Sequence, residues 1–159
     1  MPKRKVLVTG ASGYIASLML PTLRDHFDLT LADISEIDRD GNKVEGVTIA
    51  NFIDPDRSKY AHLFKEINAV IHLAFKPHTP RGAKASNALI DRFNNEHENI
   101  QMANNIYRSA YDAGVTRLAV ASSNHAADWY EHSLIHERKM DMVRPSDLPV
   151  SDNFYGWAK

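Results

Sequence analysis

No cysteine occurs in the 159 residues, which excludes disulfides, thiol nucleophiles and cysteine-ligated metal centres. No apolar run is long enough to cross a bilayer, and the one after Lys5 is broken by Thr9 and Gly10 too soon for a signal peptide. An excess of charge is missing as well. Nineteen Lys and Arg face twenty Asp and Glu, a formal net charge of -1 that leaves no footprint for nucleic acid or an anionic membrane. Lys3-Arg4-Lys5, the sole basic cluster, is a short N-terminal flank. Repeats, low-complexity tracts and linkers are absent, and the chain reads as a single unit. With 43% hydrophobic and 25% charged residues it has the composition of one well-packed soluble domain, with the cytoplasm as expected compartment. The histidines are scattered without HExxH spacing, so no metal is expected, although His132 and His136 could share a helical face.

What is present begins at Val6. Val6-Leu-Val8 is a β-branched, apolar run that leads through Gly10 and Gly13 into apolar residues at helical spacing, Ile15, Leu18, Met19 and Leu23. A strand, a glycine turn and a helix in that order aim the helix's first N–H groups and its dipole at an anion above the strand end. Gly10 permits the tight turn, Gly13 withholds a Cβ from the phosphates of a dinucleotide, and Ala16 lets helix and strand pack closely. Glycines after a strand are also ordinary loop punctuation. The second signal is Leu29-Thr-Leu-Ala-Asp33, a strand ending in a carboxylate about twenty residues on. A carboxylate there accepts both hydroxyls of an adenosine ribose and repels a 2′-phosphate, which favours NAD over NADP. The alternative is a solvated residue at a strand end.

The alternation continues. Residues 36–43 read as a connection, Val47 to Ala50 as a third strand, Arg57 to Glu66 as a helix and Ala69 to Leu73 as a fourth strand. Pro77, Pro80 and Gly82 mark a loop. A long helix is expected from about Ser86 to Ala113, stopped by Gly114, followed by a fifth strand, Leu118 to Ala121. This order predicts an α/β fold, a doubly wound parallel sheet with helices on both faces and ligands at the carboxyl ends of the strands.

The chemistry lies further along, in Ser122-Ser-Asn-His125 and in Tyr155-Gly-Trp-Ala-Lys159. A tyrosine and a lysine four apart share a face on a helix. A phenol holds its proton to about pH 10, so it becomes a base near neutrality only beside a positive charge, which Lys159 can supply. With a serine to orient the substrate oxygen, the set suits proton abstraction from an alcohol whose hydride leaves to a nicotinamide. A Tyr and a Lys at this spacing are also commonly structural.

Taken together, these residues resemble the extended short-chain dehydrogenase/reductases, the NAD-dependent epimerase/dehydratase family of Rossmann-type enzymes. Thr9-Gly-Ala-Ser-Gly-Tyr-Ile-Ala16 matches the family's TGxxGxx(G/A) turn, and Tyr155xxxLys159 its YxxxK. Val70-Ile-His-Leu-Ala74 resembles its strand beside the cofactor, and Asn99-Ile100 its structural Asn-Val/Ile pair. The resemblance implies NAD contacts at Gly10, Ser12, Gly13, Tyr14, Ile15, Asp33, Ile34, Leu73, Ala74, Phe75 and Asn99, with Asn51 and Phe52 flanking the adenine. An acidic residue is more usual in the family where Asn51 stands.

It further implies Tyr155 as general base, Lys159 holding the nicotinamide ribose and lowering the tyrosine's pKa, and Ser123, rather than Ser122, positioning the reacting hydroxyl. Ser-Ser-Asn-His followed by Arg144-Pro145 is most similar to uronate dehydrogenases, which oxidise a hexuronic acid at C1; Asn124 and His125 would then bind the sugar. His125 as a loop histidine bonded to backbone is the alternative. The segment from Ser123 to Tyr155 is longer than in that subgroup and carries the charged run His136-Glu-Arg-Lys139. The expected function is an NAD-dependent oxidoreductase of carbohydrate metabolism. The alternatives are a nucleotide-sugar epimerase or dehydratase with tightly held NAD, or a non-catalytic NAD-binding fragment. In the family, further strands and a smaller C-terminal region follow the YxxxK helix, so residues 1–159 are expected to be the NAD-binding domain, truncated at the catalytic helix. Pairing of the long helix with its copy in a homodimer is a further expectation.

Overall fold

The computed structural model describes residues 2–79, 84 and 88–159. The loop expected at Pro80 and Gly82 and the helix start expected at Ser86 lie outside the described residues. The chain forms two compact units, one of Met1–Phe75 with Gln101–Ala121 and one of Lys76–Ile100 with Ser122–Lys159.

The first unit holds a parallel five-stranded sheet of β1 (Arg4–Thr9), β2 (Phe27–Asp33), β3 (Val47–Ile49), β4 (Ala69–His72) and β5 (Arg117–Val120), in the order β3-β2-β1-β4-β5. Side chains alternate faces along a strand, yet β1 is apolar without alternation because both faces are covered. Val6 and Val8 pack with Ala16 and Leu20 of α1 (Tyr14–His26) and with Leu31. Leu7 faces the other way, into a cluster with Phe52, Tyr60, Phe64 and Val70 that also takes Met102, Ile106 and Ala110 from the last turns of α2 (Leu89–Asp112). Gly114, at φ 74, accommodates the left-handed turn that ends α2. The chain winds outward from β1 to β3, then returns to lay β4 on the other side of β1, with Thr9 opposite His72. In open α/β sheets such a reversal of direction is where ligands bind, at the carboxyl ends of the two strands, here β1 and β4.

One expected element differs. Instead of a helix over 57–66 there are two 3-10 turns, Arg57–Lys59 and Ala61–Phe64. Tyr60, Leu63, Phe64 and Ile67 have helical spacing and are all buried, which is why the segment reads as a helix. Tyr60 at φ -130 interrupts the first turn, and Glu66 at φ 58 closes the second. The break sets the Tyr60 ring edge-on to Phe52 at 5.0 Å while its hydroxyl donates to the Asp54 carbonyl. The two turns keep i→i+3 backbone bonds in place of helical ones, and both ends of the buried tyrosine are satisfied.

The second unit contains the start of α2, a 3-10 turn at Asn124–Ala127, α3 (Asp128–Tyr130) running into a π-helical turn at Glu131–Ile135, and α4 (Phe154–Trp157). Phe93 of α2 lies edge-on to Phe154 and stacked on Trp157, with centroids 5.8 and 5.9 Å away.

His132 and His136 do share a face, with ring centroids 5.9 Å apart, but His132 is hydrogen-bonded to Asp152 and His136 Nε2 lies 3.5 Å from the Glu131 carboxylate. Among the described residues no group of three or more potential ligands could hold a metal. The hydrogen bond that His132 donates to the Asp152 carboxylate raises the pKa of His132, and the same bond lowers that of Asp152. The histidine's contribution to stability is therefore full below its unfolded pKa of about 6.5 and is lost as pH rises through its higher folded value. The aspartate's contribution is lost on acidification through its depressed value. An NMR titration is expected to place the His132 midpoint above the ordinary histidine range and to return it there in Asp152→Asn.

Candidate active site

In the first unit the glycine turn is built by β1, α1 and β4. Gly10, at φ 77, donates its N–H to the Ala32 carbonyl, and a Cβ on it would lie 2.4 Å from the Ala74 nitrogen. Gly13 has an ordinary extended backbone, and a Cβ there would meet only the Gly10 carbonyl at 3.1 Å. Gly13 is the N-cap of α1, which receives no side-chain cap and has no acidic residue in its first turn. Helix N–H groups with no side-chain acceptor, beside a turn without Cβ atoms, fit a pyrophosphate. The first-turn side chains of Tyr14 and Ile15 are exposed, as is Ile34 after β2. The guanidinium of Arg39 lies 4.8 Å above the Tyr14 ring.

Asp33 ends β2, where its carboxylate accepts the N–H of Ser12 at 2.9 Å and of Ile34 at 2.6 Å. Burial raises its pKa, and the hydrogen bonds from Ser12, Ile34 and Ser35 oppose that rise. The carboxylate is thereby tied to the glycine turn itself, since Ser12 also donates its hydroxyl to the Ser35 carbonyl. Leu73 and Ala74 follow β4, the Leu73 N–H donating to Thr9, and Phe75 is partly exposed. His72 is buried, with Nδ1 2.8 Å from the Thr9 hydroxyl. Asn51 forms a local turn through Ile53. The Phe52 ring is committed to the core, and its carbonyl accepts from Asn105, so only Asn51 of this pair presents an exposed side chain.

The second unit brings together Ser122–His125, Tyr155 and Lys159, which lie more than thirty residues apart in the chain at their extremes. Ser123 caps the 3-10 turn by accepting the His125 N–H, and the Ser122 hydroxyl donates to the Lys159 carbonyl. The rings of His125 and Tyr155 meet edge-on at 5.4 Å, and the Lys159 ammonium lies 5.4 Å from the Tyr155 centroid. Lys159 lies just past the short helix α4, yet its ammonium still reaches the Tyr155 ring. Burial lowers the Lys159 pKa, with the Glu96 carboxylate opposing the shift. Asn99 is buried and clamps Lys76, accepting its N–H at 2.8 Å and donating to its carbonyl at 3.0 Å. This amide holds the chain that follows β4. Tyr155 lines a cavity of about 800 Å³ together with Phe93, Glu96, Arg92, Phe154 and Trp157.

Several site residues had no counterpart in the sequence reading. Asn153 caps α4, its Oδ1 accepting the Gly156 N–H at 2.8 Å. Gly156 leaves no room for a side chain, because a Cβ would fall 1.9 Å from the His125 carbonyl oxygen. Asp128, nearly fully buried, lies 2.6 Å from His125 Nδ1, so the partner of that imidazole is a carboxylate and not backbone. An Asn two residues before a tyrosine at a helix start is a recognisable cap signal; the other two depend on contacts that only folding creates.

A parallel sheet of this order, with a glycine turn beside an acidic strand end, has the architecture of a dinucleotide-binding fold. The profile of the NAD dependent epimerase/dehydratase family matches residues 6–159, and the chain belongs to this family. NAD is the cofactor of that family. A NAD-dependent glucose-6-phosphate dehydrogenase of Haloferax volcanii is 29% identical over 166 residues, covering 97% of this chain and 58% of that protein. The uronate dehydrogenase of Agrobacterium tumefaciens superposes with a TM-score of 0.71 at 23% identity, over 99% of this chain and 52% of that one. A UDP-glucose 4-epimerase from Thermotoga maritima gives 0.69 at 19% identity, over 98% and 47%. The two structural likenesses show the fold. The chain thus spans about half the length of the relatives it matches. No helix among the described residues is long and apolar enough to cross a membrane.

Proposed function

We propose that the chain is the NAD-binding part of a dehydrogenase that oxidises a hydroxyl of a sugar, with a hexuronic acid at C1 as the leading substrate class. The observation that carries the reading is the convergence of Tyr155, Lys159 and the Ser122–His125 turn within the second unit. The glycine turn and Asp33 hold the pyrophosphate and the adenosine ribose of NAD, which when bound supplies the hydride acceptor. Tyr155 takes the hydroxyl proton as the carbon's hydride departs and the C=O bond forms. Lys159 stabilises the phenolate, and the burial that disfavours its own charge strengthens its attraction for that anion. Ser123 donates to the reacting oxygen, while Asn124 and His125 bind neighbouring hydroxyls. Asn99 acts one step back, by fixing the backbone at Lys76.

Tyr155→Phe is expected to lower turnover by about 10²–10⁴-fold, the contribution of a positioned general base, with NAD affinity nearly unchanged. Loss of both together would remove Tyr155 from this role. The assay is NADH formation over a panel of uronic acids, sugar phosphates and nucleotide sugars. Accumulation of NADH with a uronic acid supports the proposal, whereas conversion of a nucleotide sugar without net NADH would assign an epimerase or dehydratase instead.

A further inference from the structure

We propose that Asp128 is a positioning residue that fixes His125 in the Nδ1–H tautomer, so that Nε2 is held as an acceptor for a hydroxyl donor of the polyhydroxylated substrate. The tautomer follows from a helix cap. Asn153 Oδ1 accepts the Gly156 N–H at the start of α4. The opposite amide orientation would set two donors against each other, so the amide's NH2 must face the other way. There it donates to Asp128 Oδ2 at 2.9 Å. The same oxygen lies 2.6 Å from His125 Nδ1. The oxygen of an ionised carboxylate has only lone pairs to offer, and it therefore accepts from both nitrogens. His125 Nδ1 is accordingly the donor, and in the neutral ring Nε2 carries the lone pair.

The two ends of this arrangement differ in exposure. The Asp128 side chain is 6% exposed and that of His125 is 50% exposed. A buried carboxylate behind a half-exposed imidazole orients the ring without competing for its outer nitrogen. Among the described residues Nε2 makes no hydrogen bond, and the ring lies edge-on to Tyr155. Through Asn153 the same carboxylate is joined to the helix that carries Tyr155, so one buried group sets both the ring that receives a substrate hydroxyl and the cap of the base's helix.

The catalytic meaning rests on the sugar-oxidising reading above, while the tautomer does not, and the test separates them. Nitrogen-15 NMR of the full chain, with His125 assigned through His125→Gln, is expected to show the Nδ1–H form at a pH where the ring is neutral. Asp128→Ala is expected to shift His125 toward the Nε2–H form. Asp128→Asn is expected to preserve the Nδ1–H form, because the two donors facing it select the carboxamide oxygen. With a turned-over sugar, Asp128→Ala should raise KM about tenfold, the loss of one oriented hydrogen bond, with a smaller change in kcat, and Asp128→Asn should restore most of it. An Nε2–H tautomer in the unaltered protein, or no change of tautomer in Asp128→Ala, overturns the proposal even if Tyr155→Phe behaves as expected. A failed Tyr155→Phe result with the Nδ1–H tautomer intact would remove the dehydrogenase reading alone.

Discussion

Gly10→Ala is expected to cripple both stability and cofactor binding. The residue sits at φ 77, where a Cβ is strained, and the new carbon would fall 2.4 Å from the Ala74 nitrogen and 2.6 Å from the Leu73 carbonyl carbon. The obstacle is backbone on the neighbouring strand's exit, which cannot rotate away as a side chain would. Left-handed strain and forced overpacking together amount to about 3 kcal/mol, which for a chain of this size lowers Tm by roughly 10 °C. NAD affinity should fall further than stability alone explains, because Gly10, Ser12 and Asp33 form one hydrogen-bonded unit with Ala32. Thermal denaturation and NAD titration check both parts. Gly13→Ala serves as the contrast: its backbone is unstrained and the methyl would press only on the Gly10 carbonyl at 3.1 Å, so a smaller loss of stability than in Gly10→Ala is expected, with NAD affinity still reduced. Equal stability of Gly10→Ala and the unaltered protein would contradict this account.

The second large effect is expected from Gly156→Ala. A methyl there would collide with the His125 carbonyl oxygen at 1.9 Å and the Ser151 hydroxyl at 2.2 Å. The serine side chain can turn aside, but the carbonyl belongs to the backbone of the turn that carries Ser123 and Asn124. Relief requires α4 to move away from that turn, and Tyr155 moves with it. A displacement near 1 Å between a base and the groups that orient its substrate costs about 10²-fold in rate. The expected result is a drop of this size in kcat with affinity for ADP, which on the proposed reading is held by the first unit, unchanged. A variant with normal kcat would show that the contact between α4 and the serine turn is not needed for turnover.

Sequence alone was most informative where structure is local. The run from Val6 through Gly13 to Leu23 carries its strand, turn and helix in the spacing of its own residues, and the parallel doubly wound sheet follows from the alternation of such runs. Asp33 was visible because it ends a strand at a set distance from the glycines. The family's cofactor followed from the same residues. Residues 57–66 were misread because apolar spacing of 60, 63, 64 and 67 states which side chains are buried and not how the backbone gets them there. The family resemblance implies Phe52 beside the adenine; what the sequence did not show is that its ring packs in the core, edge-on to Tyr60 and Phe64.

Local sequence determined the elements of this protein, the glycine turn, the carboxylate at the end of β2 and the pairing of a tyrosine with a lysine four residues on, because each depends on neighbours within a few turns or one strand. Tertiary structure alone decided the strand order, the need for glycine at position 156 and the linkage of His125 to Asp128 and of Asp128 to Asn153. Those features arise where segments distant in the chain come within hydrogen-bonding or van der Waals range. No periodicity or propensity encodes such a meeting; it exists only once burial of the apolar faces has fixed which backbones touch.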